Sequence, residues 1–245
     1  MRKIWFFGDS YTDTNIDRVT FRKRYDDFMG YKTRHYTDLL GEKLSLDISI
    51  HGIGGVDNDT IFETLIDNLE HINSEDIIII NWTSITRLRL STSDNEYPSY
   101  VLPGDDLKNL MVCSKNYGYV DIDSECLQKM VVNKDSDIFL NQVLKWTKLL
   151  KRTFKNNKIL FWSPFQDFKH TEIITIITPP KDFQIDFEKY KELGVEFDMD
   201  GLINNTLILC IKGHTKGGVD DLHFSEIGNH LISDLLLHEL NKITI

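Results

Sequence analysis

Lys3-Ile4-Trp5-Phe6-Phe7-Gly8-Asp9-Ser10-Tyr11 opens with a short apolar run and stops at a glycine followed by two polar residues. An apolar run of this length, ended by a turn signal, reads as a buried strand, Lys3–Phe7. Ser10 then falls where the C-terminal end of a parallel strand meets the next loop, the place where open α/β sheets bind their ligands. Gly-Asp-Ser alone is also a common loop and helix-cap sequence. Its position gives it weight.

Outward from this strand, short apolar runs alternate with segments of helical period, the pattern of a parallel sheet covered by helices on both faces. The further strands read as Leu46–Ile50, Asp76–Ile80, Lys158–Trp162 and Leu207–Ile211. Thr33–Leu44 sets Tyr36, Leu39, Leu40 and Leu44 on one helical stripe, and Asn58–Leu69 does the same with Ile61, Phe62, Leu65, Ile66 and Leu69. Asp137–Phe154 and Ser225–Leu240 are the third and fourth helices. The expected architecture is a single three-layer α/β domain over residues 1–245.

Two stretches break the alternation. Residues 91–136 hold Pro98, Pro103, Gly104, Gly118 and many Asp, Asn and Ser, and read as an insertion of loops and short elements. Leaving the sheet just after the third strand, the insertion is expected to lie over the strand ends, with Tyr97, Tyr100, Leu102, Tyr117 and Tyr119 offering flat apolar faces to a substrate or packing into an accessory contact. Residues 166–205 are also irregular, and contain a β-branched run, Ile173–Thr178, that fits either an edge strand or a helix turn.

Lys and Arg number 28 against 38 Asp and Glu, a formal charge of −10. A nucleic-acid or anionic-membrane partner calls for the opposite sign, so neither is expected. The three cysteines, Cys113, Cys126 and Cys210, are widely spaced, with no C-x-x-C to suggest a metal or redox site. The apolar run near the N-terminus is about half of the shortest signal-peptide core, and Ile77–Ile80 is far short of the ~20 residues that span a bilayer. A cytoplasmic protein is expected.

A second chemical feature precedes the last helix: Val219-Asp220-Asp221-Leu222-His223-Phe224-Ser225. Asp220 and His223 lie three apart, close enough in a turn for the carboxylate to hold one imidazole nitrogen while the other acts as a base. The bland alternative is an acidic cluster at a helix start, with Ser225 as its cap. Between these two features lies His51-Gly52-Ile53-Gly54-Gly55-Val56-Asp57-Asn58-Asp59, a glycine-rich turn after the second strand, and Asn81-Trp82-Thr83-Ser84 follows the third.

Together these blocks resemble the SGNH, or GDSL, hydrolase superfamily: a GDS block after the first strand, a glycine block after the second, a block closing the third, and D-x-x-H before the final helix. The resemblance runs from Lys3 to Leu240 apart from the two irregular stretches. It implies a flavodoxin-like five-stranded parallel sheet and a serine esterase without metal or cofactor, acting on a small-molecule or glycan ester, O-acetylated carbohydrate above all. Ser10 would be the nucleophile, His223 the base and Asp220 its partner, with Ser10, Gly55 and Thr83 as oxyanion donors and Asp9 and Arg87 near the substrate. Where the family has G-x-N-D, this chain has Asn81-Trp82-Thr83-Ser84; Thr83 takes the place of the usual amide in an ungapped register, with Ser84 or Asn81 as substitutes in a shifted one. Two other functions stay open on these residues: an acyltransferase using the same acyl-enzyme, and a binding module that keeps the fold without turnover. The remaining histidines, His35, His51, His71, His170, His214, His230 and His238, show no metal-site spacing. Oligomeric state is not legible in these residues.

Overall fold

A computed structural model describes residues 2–14, 26, 31–85, 87–90, 99–103, 110–113, 136–169, 171–175, 180–183, 224 and 226–244. Its centre is a five-stranded sheet of β1 (Lys3–Gly8), β2 (Asp47–Gly52), β3 (Ile77–Asn81), β7 (Lys158–Ser163) and β8 (Ile174–Thr175). The strands lie in the order β2-β1-β3-β7-β8, and every pairing is parallel. That order is the flavodoxin-like one, and its strand direction of travel reverses between β1 and β3. The protein therefore belongs to the α/β class, as the alternation of runs implies.

Period-two alternation splits each central strand between two cores. Ile4, Phe6, Ile77, Ile79, Leu160 and Trp162 face one side, against Tyr36 and Leu40 of α1 (Tyr36–Leu44) and Ile227, Leu231 and Leu235 of α4 (Glu226–Lys242). Trp5, Phe7, Ile78, Ile80 and Phe161 face the other, against Ile61 and Leu65 of α2 (Asn58–Asp67) and Val143 and Leu150 of α3 (Ser136–Thr153). Strands apolar on both faces need helices on both, and the three layers follow.

Helix limits are set by caps. The His35 ring accepts from Thr37 N and starts α1 at Tyr36, three residues later than the expected start at Thr33, and α1 ends where Ser45 turns left-handed at φ 53°. Asp57 accepts from Thr60 N and Thr60 Oγ1 and starts α2. α2 gives way at Asn68 to a short 3₁₀ turn, Leu69–His71.

The fifth strand among the described residues resolves the run that the sequence left open between an edge strand and a helix turn. β8 comes from the β-branched run, pairing Ile174 with Trp162 and Thr175 with Ser163; the expected strand Leu207–Ile211 lies outside the described residues. Around the insertion, β4 (Leu88–Leu90), β5 (Ser99–Pro103) and β6 (Leu110–Cys113) form a separate antiparallel sheet in the order β4-β5-β6. Among the described residues, no helix is long and apolar enough to cross a membrane.

At the opposite end of the strands from the Ser10 loop, the fully buried Asp76 ties the start of β1 to the turn that precedes β3. Oδ1 accepts from Lys3 N at 2.9 Å, and Oδ2 accepts from Trp5 Nε1 and Asn73 N, each at 2.9 Å. Burial works to raise its pKa, but the hydrogen bonds from Asn73, Trp5 and Lys3 prevail and hold it below the ordinary carboxylate value.

Candidate functional site

At the C-terminal ends of β1 and β3, where the topology switches, three loops converge. β1 ends in a turn closed by Thr12 N and Asp13 N, both donating to the Asp9 carbonyl, at 2.9 and 3.0 Å. Gly8 is required by contact: a Cβ there would stand 2.2 Å from Thr12 Oγ1 and 2.8 Å from Asn81 Cβ. The β2 loop is drawn against the same turn by Ile53 N donating to Gly8 O at 3.0 Å and Gly54 N donating to Asp13 Oδ2 at 3.1 Å. Gly54 is in van der Waals range of Ser10, since a Cβ on it would lie 3.9 Å from Ser10 Cβ. Gly55 has φ 79°, a left-handed conformation that favours glycine.

Gly52 is where the two loops touch backbone to backbone. A Cβ on it would come within 2.3 Å of Asp13 N and 2.4 Å of Thr12 C. Gly52→Ala must push the loops apart, so we expect a loss of roughly 2–3 kcal/mol, or about 5–10 °C in Tm. Thermal unfolding followed by circular dichroism checks this; an unchanged Tm would mean that the loops are not in contact.

Asp9 is fully buried, and both oxygens are engaged within the protein. Oδ1 accepts from Tyr11 N at 3.0 Å and Asn81 Nδ2 at 2.9 Å. Oδ2 accepts from Thr83 Oγ1 at 2.7 Å and Arg87 Nη1 at 2.9 Å. Asn81 Nδ2 also lies 3.2 Å from Thr12 Oγ1, which in turn meets the Tyr36 hydroxyl at 2.9 Å. Burial pushes the Tyr36 hydroxyl far above its ordinary pKa, so it stays neutral. Thr83, also fully buried, is held from both sides by Asn58: its N–H donates to Asn58 Oδ1 at 2.8 Å, and its carbonyl accepts from Asn58 Nδ2 at 2.9 Å. Ser84 Oγ and Ile85 N both donate to Asp167 Oδ2, at 2.8 and 3.1 Å.

The residues proposed from sequence are therefore placed as follows. Ser10 is half-buried beside the glycine loop, and among the described residues no hydrogen bond involves it. Asp9 is enclosed, with no surface left for a ligand. The Thr83 hydroxyl is directed at Asp9, and the Ser84 hydroxyl at Asp167. Arg87 is paired with Asp9, its side chain 10% exposed. Asp220 and His223 lie outside the described residues. Their sequence neighbour Phe224 is described: it is buried, and its ring packs 4.8 Å from Tyr11 and 6.3 Å from Trp162. The residue after His223 thus meets the residue after Ser10.

Several contributors carry no motif and were missed. Asn58 looks like a helix start, Asp13 and Asp167 like loop acids, and Phe165 like a stray aromatic, although Phe165 meets Tyr11 edge-on at 5.7 Å. Only the pairing of distant loops gives them a role. His51, by contrast, is stacked on Trp5 and Phe7 at 5.4 and 5.1 Å, and burial lowers its pKa, so it packs as a neutral ring. Among the described residues one cluster has metal-ligand proximity, Asp182, His238 and Glu239. Lys242 Nζ already supplies a cation there, 2.7 Å from Asp182 Oδ2 and 2.6 Å from Glu239 Oε1.

No protein-family model matches the chain, and neither does any curated protein. Among solved structures it is similar to the crystal structure of a member of the lipolytic protein G-D-S-L family from Veillonella parvula DSM 2008. The TM-score is 0.43 at 12% identity, over 99% of this chain and 100% of that one.

Proposed function

We propose that this protein is a serine esterase in which Ser10, His223 and Asp220 form the catalytic triad. The observation that supports the reading is the contact between Tyr11 and Phe224, rings 4.8 Å apart, which sets the sequence neighbour of His223 against the sequence neighbour of Ser10. Ser10 is also half-buried at the switch point of the sheet, beside the glycine loop, where open α/β sheets bind their ligands.

In this reading Ser10 Oγ attacks the carbonyl while His223 accepts its proton. His223 then protonates the leaving alcohol, and water resolves the acyl-enzyme by the reverse transfers. Asp220 holds the imidazole tautomer and balances the imidazolium. The tetrahedral oxyanion rests on backbone donors, Ser10 N–H and Gly55 N–H, because the Thr83 proton is directed to Asp9. Asp9 and Thr83 act as anchors of the site and do not contact the substrate. The substrate class that the sequence resemblance supports is a small acyl ester, with O-acetyl groups on carbohydrate foremost.

The test is incubation with a fluorophosphonate and with a panel of acyl esters, the adduct being located by mass spectrometry. We expect a single modified serine, Ser10, and turnover of short-chain esters. Labelling at another serine, or none in the folded protein, would sink the reading.

A further inference from the structure

Two backbone donors on different loops act together only if something fixes the distance between them. Ser10 follows β1 and Gly55 follows β2, outside any helix or strand, and the loops are tied at Ile53 N to Gly8 O and at Gly54 N to Asp13 Oδ2 but, among the described residues, by no hydrogen bond of Ser10 or Gly55 themselves. Arg87 touches both loops at the neighbouring residues. Its Nη1 donates to Asp9 Oδ2 at 2.9 Å and to the Val56 carbonyl oxygen at 3.2 Å. Asp9 immediately precedes Ser10, and Val56 immediately follows Gly55.

From this geometry we propose that Arg87 is a positioning residue, a cross-brace that sets the separation of the Ser10 and Gly55 N–H groups. The proposal rests on the esterase reading, in which those two groups hold the oxyanion. Both ends of the brace are immobile. Asp9 is fully buried and receives three further donors, from Tyr11, Asn81 and Thr83, and Val56 is 1% exposed in the core of the α2 face. The shaft is held as well: Arg87 Cζ lies 5.6 Å from the centre of the Phe165 ring, in the loop after β7. A planar guanidinium can engage a carboxylate and a carbonyl together in one fixed geometry. Lysine places its nitrogen on a shorter, flexible stem with tetrahedral donors, and does not reproduce both contacts in that plane.

The brace also accounts for how this chain works without the usual amide in its third block. Asn81 and Thr83 are both spent on Asp9, which makes the carboxylate a fixed post to which Arg87 is fastened. Catalysis then depends on the placement of backbone donors, and a displacement of about 1 Å in such a site costs about 10²-fold in rate.

The test compares wild type, Arg87→Lys, and the double variant Asp9→Asn with Arg87→Met, using 4-nitrophenyl acetate and a fluorophosphonate. Arg87→Lys retains the charge and is expected to fold, with KM within about 3-fold and kcat lowered about 10- to 100-fold. The double variant removes both buried charges at once, so it should still fold, with Tm lowered only by the one acceptor oxygen that Asp9 loses, while kcat remains about 10²-fold down. Should Arg87→Lys fail to fold, the double variant carries the comparison. Wild-type kcat in either folded variant would overturn the brace, since Arg87 would then be no more than a counter-charge. Absence of both hydrolysis and Ser10 labelling in wild type would instead overturn the esterase reading, and the brace with it.

Discussion

Ser10→Ala is expected to lower kcat on a short-chain activated ester by about 10⁴-fold or more and to abolish fluorophosphonate labelling, because in the proposed mechanism Ser10 forms the acyl-enzyme. The same substitution should leave Tm within about 1–2 °C of wild type. Ser10 is half-buried and makes no hydrogen bond with the described residues, so its hydroxyl contributes little to the fold. The two measurements must be made on one preparation. Residual turnover near the wild-type rate would exclude a Ser10 nucleophile, and a large fall in Tm would show that the serine is a structural part of its turn.

The largest expected effect on stability lies at the other end of the strands. Asp76→Ala leaves the buried Trp5 Nε1–H without its acceptor, together with the Lys3 and Asn73 N–H groups, which lie nearer to solvent. A buried donor left unsatisfied costs about 1–3 kcal/mol and the two others add less, so the combined loss should reach roughly 3–4 kcal/mol. Asp76→Asn keeps one acceptor and should cost less. The folded-state pKa of Asp76 is depressed, so its contribution is present above the unfolded value of about 3.9 and is lost as pH falls through the folded value. Wild type should therefore lose its advantage over Asp76→Asn as the pH drops below about 4, measured by chemical denaturation at each pH. A constant difference down to pH 2 would mean that the carboxylate charge plays no part.

Asp76 illustrates how far the sequence is legible. The run Asp76–Ile80 marks a strand because four consecutive isoleucines have no other stable home, yet nothing near residue 76 identifies Lys3 and Trp5 as its partners. The edge strand shows the opposite difficulty. Ile173–Thr178 is too short for its periodicity to distinguish a strand from a helix turn, and only pairing to Trp162 and Ser163 makes Ile174–Thr175 a strand. Helix starts drift for a similar reason: the expected segment begins at Thr33, but the His35 cap places the first turn at Tyr36, the first residue of the apolar stripe.

The amino-acid sequence by itself determined the class of the fold, because burial on two faces is a local property written in the spacing of apolar residues along each strand and helix. It also put Ser10 and the glycine loop at the ends of β1 and β2, since turn residues mark where strands stop. Tertiary structure alone decided what Asp9, Thr83 and Arg87 do. Each could be read as facing a ligand, and their mutual contacts span residues 9 to 87 across two loops. A buried carboxylate takes whichever donors the fold brings within reach, and sequence spacing carries no record of that choice.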